Sequence, residues 1–197
     1  MNILITGRPG TGKTTLLKEI LRKLGKKANG FYTEEIIKKG QRTGFSIKTL
    51  DGKTGILSGI DIDSPYRVGK YKVNLLDFER IAIAAIEDAL SSSKVIIIDE
   101  IGPMELFSQK FKDIVLKALD SPNQVIATIK LKGSKFIDKI KSRSDVTVFN
   151  LSANNKEEVL ENIITCLGTP CSTKSEPRCC KTFRAAECPH QEKRLWF

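Results

Sequence analysis

Eight residues, Gly7-Arg8-Pro9-Gly10-Thr11-Gly12-Lys13-Thr14, restrict what this chain can fold into more than any other stretch. They make a complete G-x-x-x-x-G-K-T. A short apolar run, Asn2–Thr6, precedes it, and Leu16, Leu17, Ile20, Leu21 and Leu24 follow at helical spacing. Strand, glycine-rich turn and amphipathic helix in that order form a phosphate cradle. The glycines permit left-handed backbone angles and let N–H groups approach phosphate with no Cβ in the way. The helix N-terminus adds positive potential. Lys13 is expected to bridge the β- and γ-phosphates of a nucleoside triphosphate, and Thr14 to ligate Mg2+ through its hydroxyl.

The rest of the chain continues the alternation. After a stop at Gly25, Ala28–Thr33 reads as a second strand. Gly44–Leu50 and Lys53–Leu57 flank Asp51-Gly52, a hairpin signal, and Arg67–Val73 adds a further strand. Asn74 caps a helix whose inward face carries Phe78, Ile81, Ala82, Ala85, Ile86 and Ala89. Val95–Ile98 is a run of branched aliphatics, as in a strand covered on both faces of a parallel sheet. A helix over Ser108–Leu119, a strand over Gln124–Ile129, a short helix over Ser134–Ile140, a strand over Val146–Asn150 and a helix from about Asn154 to Leu167 complete the pattern. The fold class predicted for residues 1–167 is α/β: a three-layer P-loop NTPase fold with a mainly parallel sheet and a β-hairpin insertion. From Gly168 onward four of the five cysteines and three prolines follow without period, which reads as a Cys-rich, disordered or weakly docked tail.

The aliphatic run ends in Asp99-Glu100, two acids at the tip of a buried strand. Asp99 is expected to hold Mg2+, through water, and Glu100 to orient or deprotonate the water that attacks the γ-phosphate. Arg143 is the candidate transition-state arginine, because a planar guanidinium donates two hydrogen bonds to the γ-oxygens and stays charged. Its alternative is the last charge of a basic surface helix. Phe31 reads as strand core with Glu34 and Glu35 as a solvated acidic end, or as an aromatic face near the phosphates. Glu105 reads as a first-turn helix acid, or as a second acid supporting the site.

The formal charge is +10, of which the tail from Gly168 carries six basic and three acidic residues. A basic body suits anionic partners, from nucleotides to nucleic acid, or is a solubilising surface. Lys130, Lys132, Lys135, Lys139, Lys141 and Arg143 are dense enough for a phosphate-clamping lid, a nucleic-acid patch or a solvated face. Phe136 alone interleaves, and its spacing with Ile137 and Ile140 suggests core, so nucleic acid is not favoured. All five cysteines lie between Cys166 and Cys188, none in the expected core, so no disulfide framework is expected to hold the fold. His190 is the single histidine, which excludes a His-based catalytic triad in the body. No apolar run spans a bilayer and Ile3–Ile5 is a buried strand rather than a leader, so a cytoplasmic protein is expected.

Five further segments carry a resemblance: Phe31–Glu35; Arg42–Phe45; Val68–Asn74; Asp99-Glu100-Ile101-Gly102-Pro103-Met104-Glu105-Leu106-Phe107; and Arg143–Val146. In this order, over Met1 to about Leu167, they resemble the THEP1 nucleoside-triphosphatases. The resemblance implies a monomer of kinase-like α/β architecture and Mg2+-dependent release of phosphate from ATP, GTP and other NTPs. It also implies two nucleotide-binding segments. One is Gly7, Arg8, Pro9, Gly10, Thr11, Gly12, Lys13 and Thr14. The other is Val95, Ile96, Ile97, Ile98, Asp99, Glu100, Ile101 and Gly102. Pro103 stands where members often carry lysine. The expected function is NTP hydrolysis. The alternatives are a P-loop kinase acting on a small nucleoside-like acceptor, with Glu34, Glu35 and Arg42 near it, and a nucleic-acid-associated ATPase.

Overall fold

The structure is a computed structural model and describes residues 1–168; the expected Cys-rich tail lies outside the described residues. Among these, one nine-stranded sheet is flanked by helices. Its strands are β1 (Asn2–Gly7), β2 (Ala28–Lys38), β3 (Gln41–Thr49), β4 (Thr54–Gly59), β5 (Arg67–Val68), β6 (Tyr71–Val73), β7 (Val95–Ile101), β8 (Val125–Ile129) and β9 (Val146–Leu151), in the order β5-β6-β4-β3-β2-β7-β8-β1-β9. Strands β2, β7, β8, β1 and β9 pair in parallel. The helices that return the chain between them are α1 (Lys13–Leu24), α2 (Leu75–Phe78) with α3 (Ala84–Leu90), α4 (Gln109–Asp120), α5 (Lys135–Lys141) and, after β9, α6 (Lys156–Gly168). The other half of the sheet, β5-β6-β4-β3-β2, is antiparallel throughout, and so is more than a single hairpin insertion.

Alternation along the parallel strands divides the interior into two cores. Ile96 and Ile98 of β7 pack with Phe31, Phe78, Ile86, Phe111 and Val115 on the α3–α4 face. Ile97 faces the other way, with Ile3, Ile5, Leu17, Ile20 and Ile163 under α1 and α6. Phe31 contacts Phe78 and Phe111 edge-on, with ring centroids 5.9 and 6.3 Å away, and is fully buried. Of its two sequence readings, core is the observed one. Cys166 is buried in the second core, which corrects the expectation that no cysteine belongs there.

Local capping follows the sequence. The Asn74 side chain accepts from the Asp77 amide at 3.1 Å, and Ser108 Oγ from the Phe111 amide at 3.0 Å. The helix after Asn74 is interrupted by a π-helical turn, Glu79–Ile83, between α2 and α3. Arg67–Val73 forms two short strands rather than one. The second strand runs on to Lys38, well past the expected Thr33, and that extension joins the two halves of the sheet. Ala28–Phe31 pairs with β7, whereas Phe31–Lys38 pairs with β3.

Candidate active site

The C-terminal ends of β1, β2, β7 and β8 share one edge of the sheet, and the chemistry collects there. After Gly7 the chain turns through Gly10 and Gly12, at φ 80° and 87°, before α1 begins at Lys13. These left-handed angles are glycine's. Thr11 secures the turn, its amide and hydroxyl both donating to the Arg8 carbonyl at 3.3 and 2.9 Å. The Lys13 ammonium reaches back over the loop to the carbonyls of Gly7 and Arg8 at 3.3 and 3.4 Å. No acidic residue lies in the first turn of α1, so its positive end is uncompensated.

Opposite this loop sits Asp99, 1% exposed. Its Oδ1 accepts from the hydroxyls of Thr128 at 2.7 Å and Thr14 at 3.3 Å, and its Oδ2 from the Thr33 amide and hydroxyl, both at 3.4 Å. Burial raises the pKa of Asp99 even against these donors. Glu100, next along, also has its pKa raised by burial; Lys13 and Lys130 oppose the rise and Asp99 adds to it. Glu100 lines a cavity of about 450 Å³, together with Gly7, Pro9, Lys13, Thr33 and Glu105, and Asp99 is buried behind it, bonded to the lining residue Thr33. The Thr14 hydroxyl and Asp99 carboxylate form the kind of sparse, hard-oxygen set that suits Mg2+, which keeps waters and substrate phosphates as its remaining ligands.

Glu105 is the residue the sequence underread. It begins a 3₁₀ turn (Glu105–Phe107), is 5% exposed, and has its pKa raised by burial to about 8. A Cβ placed on Gly102 would lie 3.0 Å from Glu105 Oε2 and 3.2 Å from Glu100 Oε1, so the two carboxyl groups close on the same glycine. Thr128 carried no motif. Its only signal was a hydroxyl in an apolar strand, Val125–Ile129. Thr33 was visible only as part of a resembling segment.

Other expected site residues lie elsewhere. Val95, Ile96, Ile97, Ile98 and Ile101 are bonded into the sheet and pack into the two cores rather than lining the cavity; they hold Asp99 and Glu100 in place, while Gly102 lies against the Glu100 and Glu105 carboxyl groups. Arg143 is a correction. Its guanidinium donates to Asp145 at 2.8 Å twice and to Asp120 at 2.7 Å. Asp145 in turn receives the Asn2 amide on its carbonyl, at the start of β1. Gly7 is at the other end of that strand, ~17 Å away at roughly 3.3 Å per residue. Arg143 therefore staples the edge of the sheet opposite the loop. Glu34 is paired with Lys18 and Lys48, both at 2.6 Å, and Glu35 with Arg42 at 2.5 Å, so none of this trio lines the cavity. The basic stretch is not one face either. Lys141 turns in to the Lys130 and Leu131 carbonyls at 2.7 and 2.8 Å, and Phe136 packs against the core.

With this geometry in view, comparison with known proteins is specific. A family model described as NTPase matches residues 2–164. A nucleoside-triphosphatase THEP1 from Thermotoga sp. strain RQ2 is 53% identical over 167 residues, covering 85% of this chain and 95% of its own. The cancer-related nucleoside-triphosphatase of Homo sapiens is 40% identical over 182 residues, covering 84% and 96%. The crystal structure of THEP1 from Aquifex aeolicus superposes with a TM-score of 0.80 at 43% identity, covering 86% of this chain and all of that one.

Proposed function

This chain belongs to the THEP1 nucleoside-triphosphatase family and is a nucleoside-triphosphatase, and we propose that it hydrolyses ATP, GTP and other NTPs with Mg2+ at the cavity between Lys13 and Glu100. The observation that carries this reading is the convergence of the loop Gly7–Thr14 from one strand with Asp99 and Glu100 from another. The loop amides and the end of α1 bind the triphosphate, and Lys13 leaves its carbonyl partners for the β- and γ-oxygens. Thr14 and Asp99 would hold Mg2+, which when bound neutralises charge on the phosphates. Glu100 orients the attacking water and takes its proton. Partial burial, which raises its pKa, makes it a better base than a solvated carboxylate. Nothing in the cavity's phosphate end reads a base, which favours loose base specificity.

The resemblance supports a monomer working in the cytoplasm, and among the described residues no helix is long and apolar enough to cross a membrane. The inward turn of Lys141 and the ion pairs of Arg143 weigh against a nucleic-acid face. Phosphate release from a panel of NTPs, with Mg2+ and with a chelator, tests the proposal. Turnover of several NTPs that the chelator abolishes is the expected result. Undiminished turnover in the chelator would remove the metal, and turnover of a single NTP would remove the loose specificity.

A further inference from the structure

We propose that the same cavity is also a second-substrate site, which takes a small hydroxylated organic anion and passes the γ-phosphoryl group to its hydroxyl. The proposal rests on the NTPase reading above, since it uses the same triphosphate, Lys13 and Glu100. What hydrolysis alone leaves unexplained is the cavity's far end. Phe45, Leu57, Val68, Met104 and Leu131 line it, beyond Lys13 and Glu100. A water molecule occupies only about 30 Å³ of liquid. The whole cavity, the end at Gly7, Pro9 and Lys13 included, holds about 450 Å³, within the roughly 300–1,000 Å³ of small-molecule sites.

The position of this wall follows from the long second strand. β2 passes Asp99 at Thr33 and continues to Lys38, which carries β3 and β4 beyond the edge where the P-loop lies. Phe45 pairs with Glu35 and Ser58, past that edge. The wall and Glu100 therefore line one cavity, and Glu100 is the group assigned above to the attack on the γ-phosphate. With the γ-phosphate at Glu100, as proposed above, a nucleobase on this wall would require the triphosphate to run the other way. Lys130 and Lys132, both exposed, line the cavity beside Leu131. Apolar walls, two ammonium groups and a base at the phosphate end fit a compound with an apolar body, an anionic group and a hydroxyl.

The transfer balances. The acceptor oxygen forms a bond to the γ-phosphorus, and the bond from that phosphorus to the β–γ bridging oxygen breaks. The bridging oxygen leaves on the nucleoside diphosphate, and the hydroxyl proton passes to Glu100. Phosphomonoester and NDP result, with no oxidant or reductant.

The test uses the full chain with γ-radiolabelled ATP and Mg2+, and three probes: 4-(hydroxymethyl)benzoate, benzyl alcohol, and 3-hydroxypropanoate. The first has ring, anion and hydroxyl; the others lack the anion and the ring respectively. Label should appear in a phosphomonoester of 4-(hydroxymethyl)benzoate, about tenfold or more above either other probe, the scale of losing one specific contact. Val68→Glu places a carboxylate in the apolar wall, on a strand of two residues, and should lower the ratio of transfer to hydrolysis at least as much. Label only in inorganic phosphate with all three probes overturns the proposal, as does transfer indifferent to Val68→Glu. Competition of 4-(hydroxymethyl)benzoate with ATP for binding also overturns it, by giving the cavity to the nucleotide itself. Absence of any phosphate release without probes strikes the NTPase reading first, and the second site falls with it.

Discussion

Glu105→Gln is expected to stabilise the protein, and increasingly so as the pH rises. Burial, with a smaller push from Glu100 and Asp99, raises the Glu105 pKa from 4.5 to about 8, while the amides of Glu105 and Gly102 hold it back. Between those values the folded chain keeps a proton that the unfolded chain has lost. The stability tied to that proton is complete below pH 4.5 and is lost as the pH rises to about 8. At about 1.4 kcal/mol per pH unit the full loss approaches ~5 kcal/mol, of which roughly 1 has gone by pH 5 and roughly 4 by pH 8. Glutamine is neutral throughout, nearly isosteric, and keeps an oxygen for the two amides. The variant's advantage should therefore widen by about 3–4 kcal/mol between pH 5 and pH 8. Urea unfolding of both proteins without nucleotide, followed by far-ultraviolet circular dichroism at half-unit pH steps, measures it. A difference that stays flat to within about 0.5 kcal/mol would show that Glu105 ionises freely in the folded state and that its pocket is wet.

Lys13→Ala should abolish turnover and weaken NTP binding with an unchanged urea midpoint, because the side chain crosses only its own loop; phosphate release at the wild-type rate by the folded variant rules out the assigned role. Asp99→Ala should damage Mg2+-dependent NTP binding and rate together, whereas Glu100→Gln should keep affinity and lose about 10²-fold or more in rate. Equal losses of affinity in the two, measured by titration calorimetry, would make Glu100 a ligand or a structural acid. Arg143→Ala should lower stability by about 1–2 kcal/mol through its half-exposed ion pairs and leave turnover per folded molecule within about twofold. A tenfold loss of rate would return the arginine to the reaction.

Features legible in the sequence were those written locally. The loop Gly7–Thr14, the cap at Asn74, the helix faces and the Asp51-Gly52 hairpin each depend on residues within a turn or two. Asp99 and Glu100 were legible because a run of branched aliphatics marks a buried strand and two acids mark its end. Arg143 was misread because nothing local says which end of the sheet a residue occupies. Its helix α5 leaves the C-terminal end of β8, but the chain has crossed the sheet and re-entered at the start of β9 by Asp145. There the acceptors are Asp120 and Asp145, and a guanidinium that satisfies two carboxylates has no fork left for phosphate.

The apolar wall was illegible for a related reason. Whether Tyr32–Lys38 continues a strand depends on a partner, and β3 is that partner because the turn at Lys39-Gly40 sets Phe45 against Glu35, while Asp51-Gly52 sets Ser58 against Phe45. Once β2 overshoots the parallel edge, its length decides the chemistry. A strand ending at Thr33 would leave Glu100 facing open water, with Asp99 held by the same hydroxyls. The overshoot instead puts Phe45 and Leu57 in the lining of the cavity that Lys13 and Glu100 share, so a γ-phosphate bound as proposed would lie between a polar cradle and an apolar wall. In that arrangement low dielectric on one side would strengthen the pull of Lys13 on the phosphate, and burial raises the pKa of Glu100. On the proposed reading the antiparallel half would act on the chemistry without supplying a reacting group, and a substitution such as Val68→Glu should be felt first in what the γ-phosphoryl group is given to.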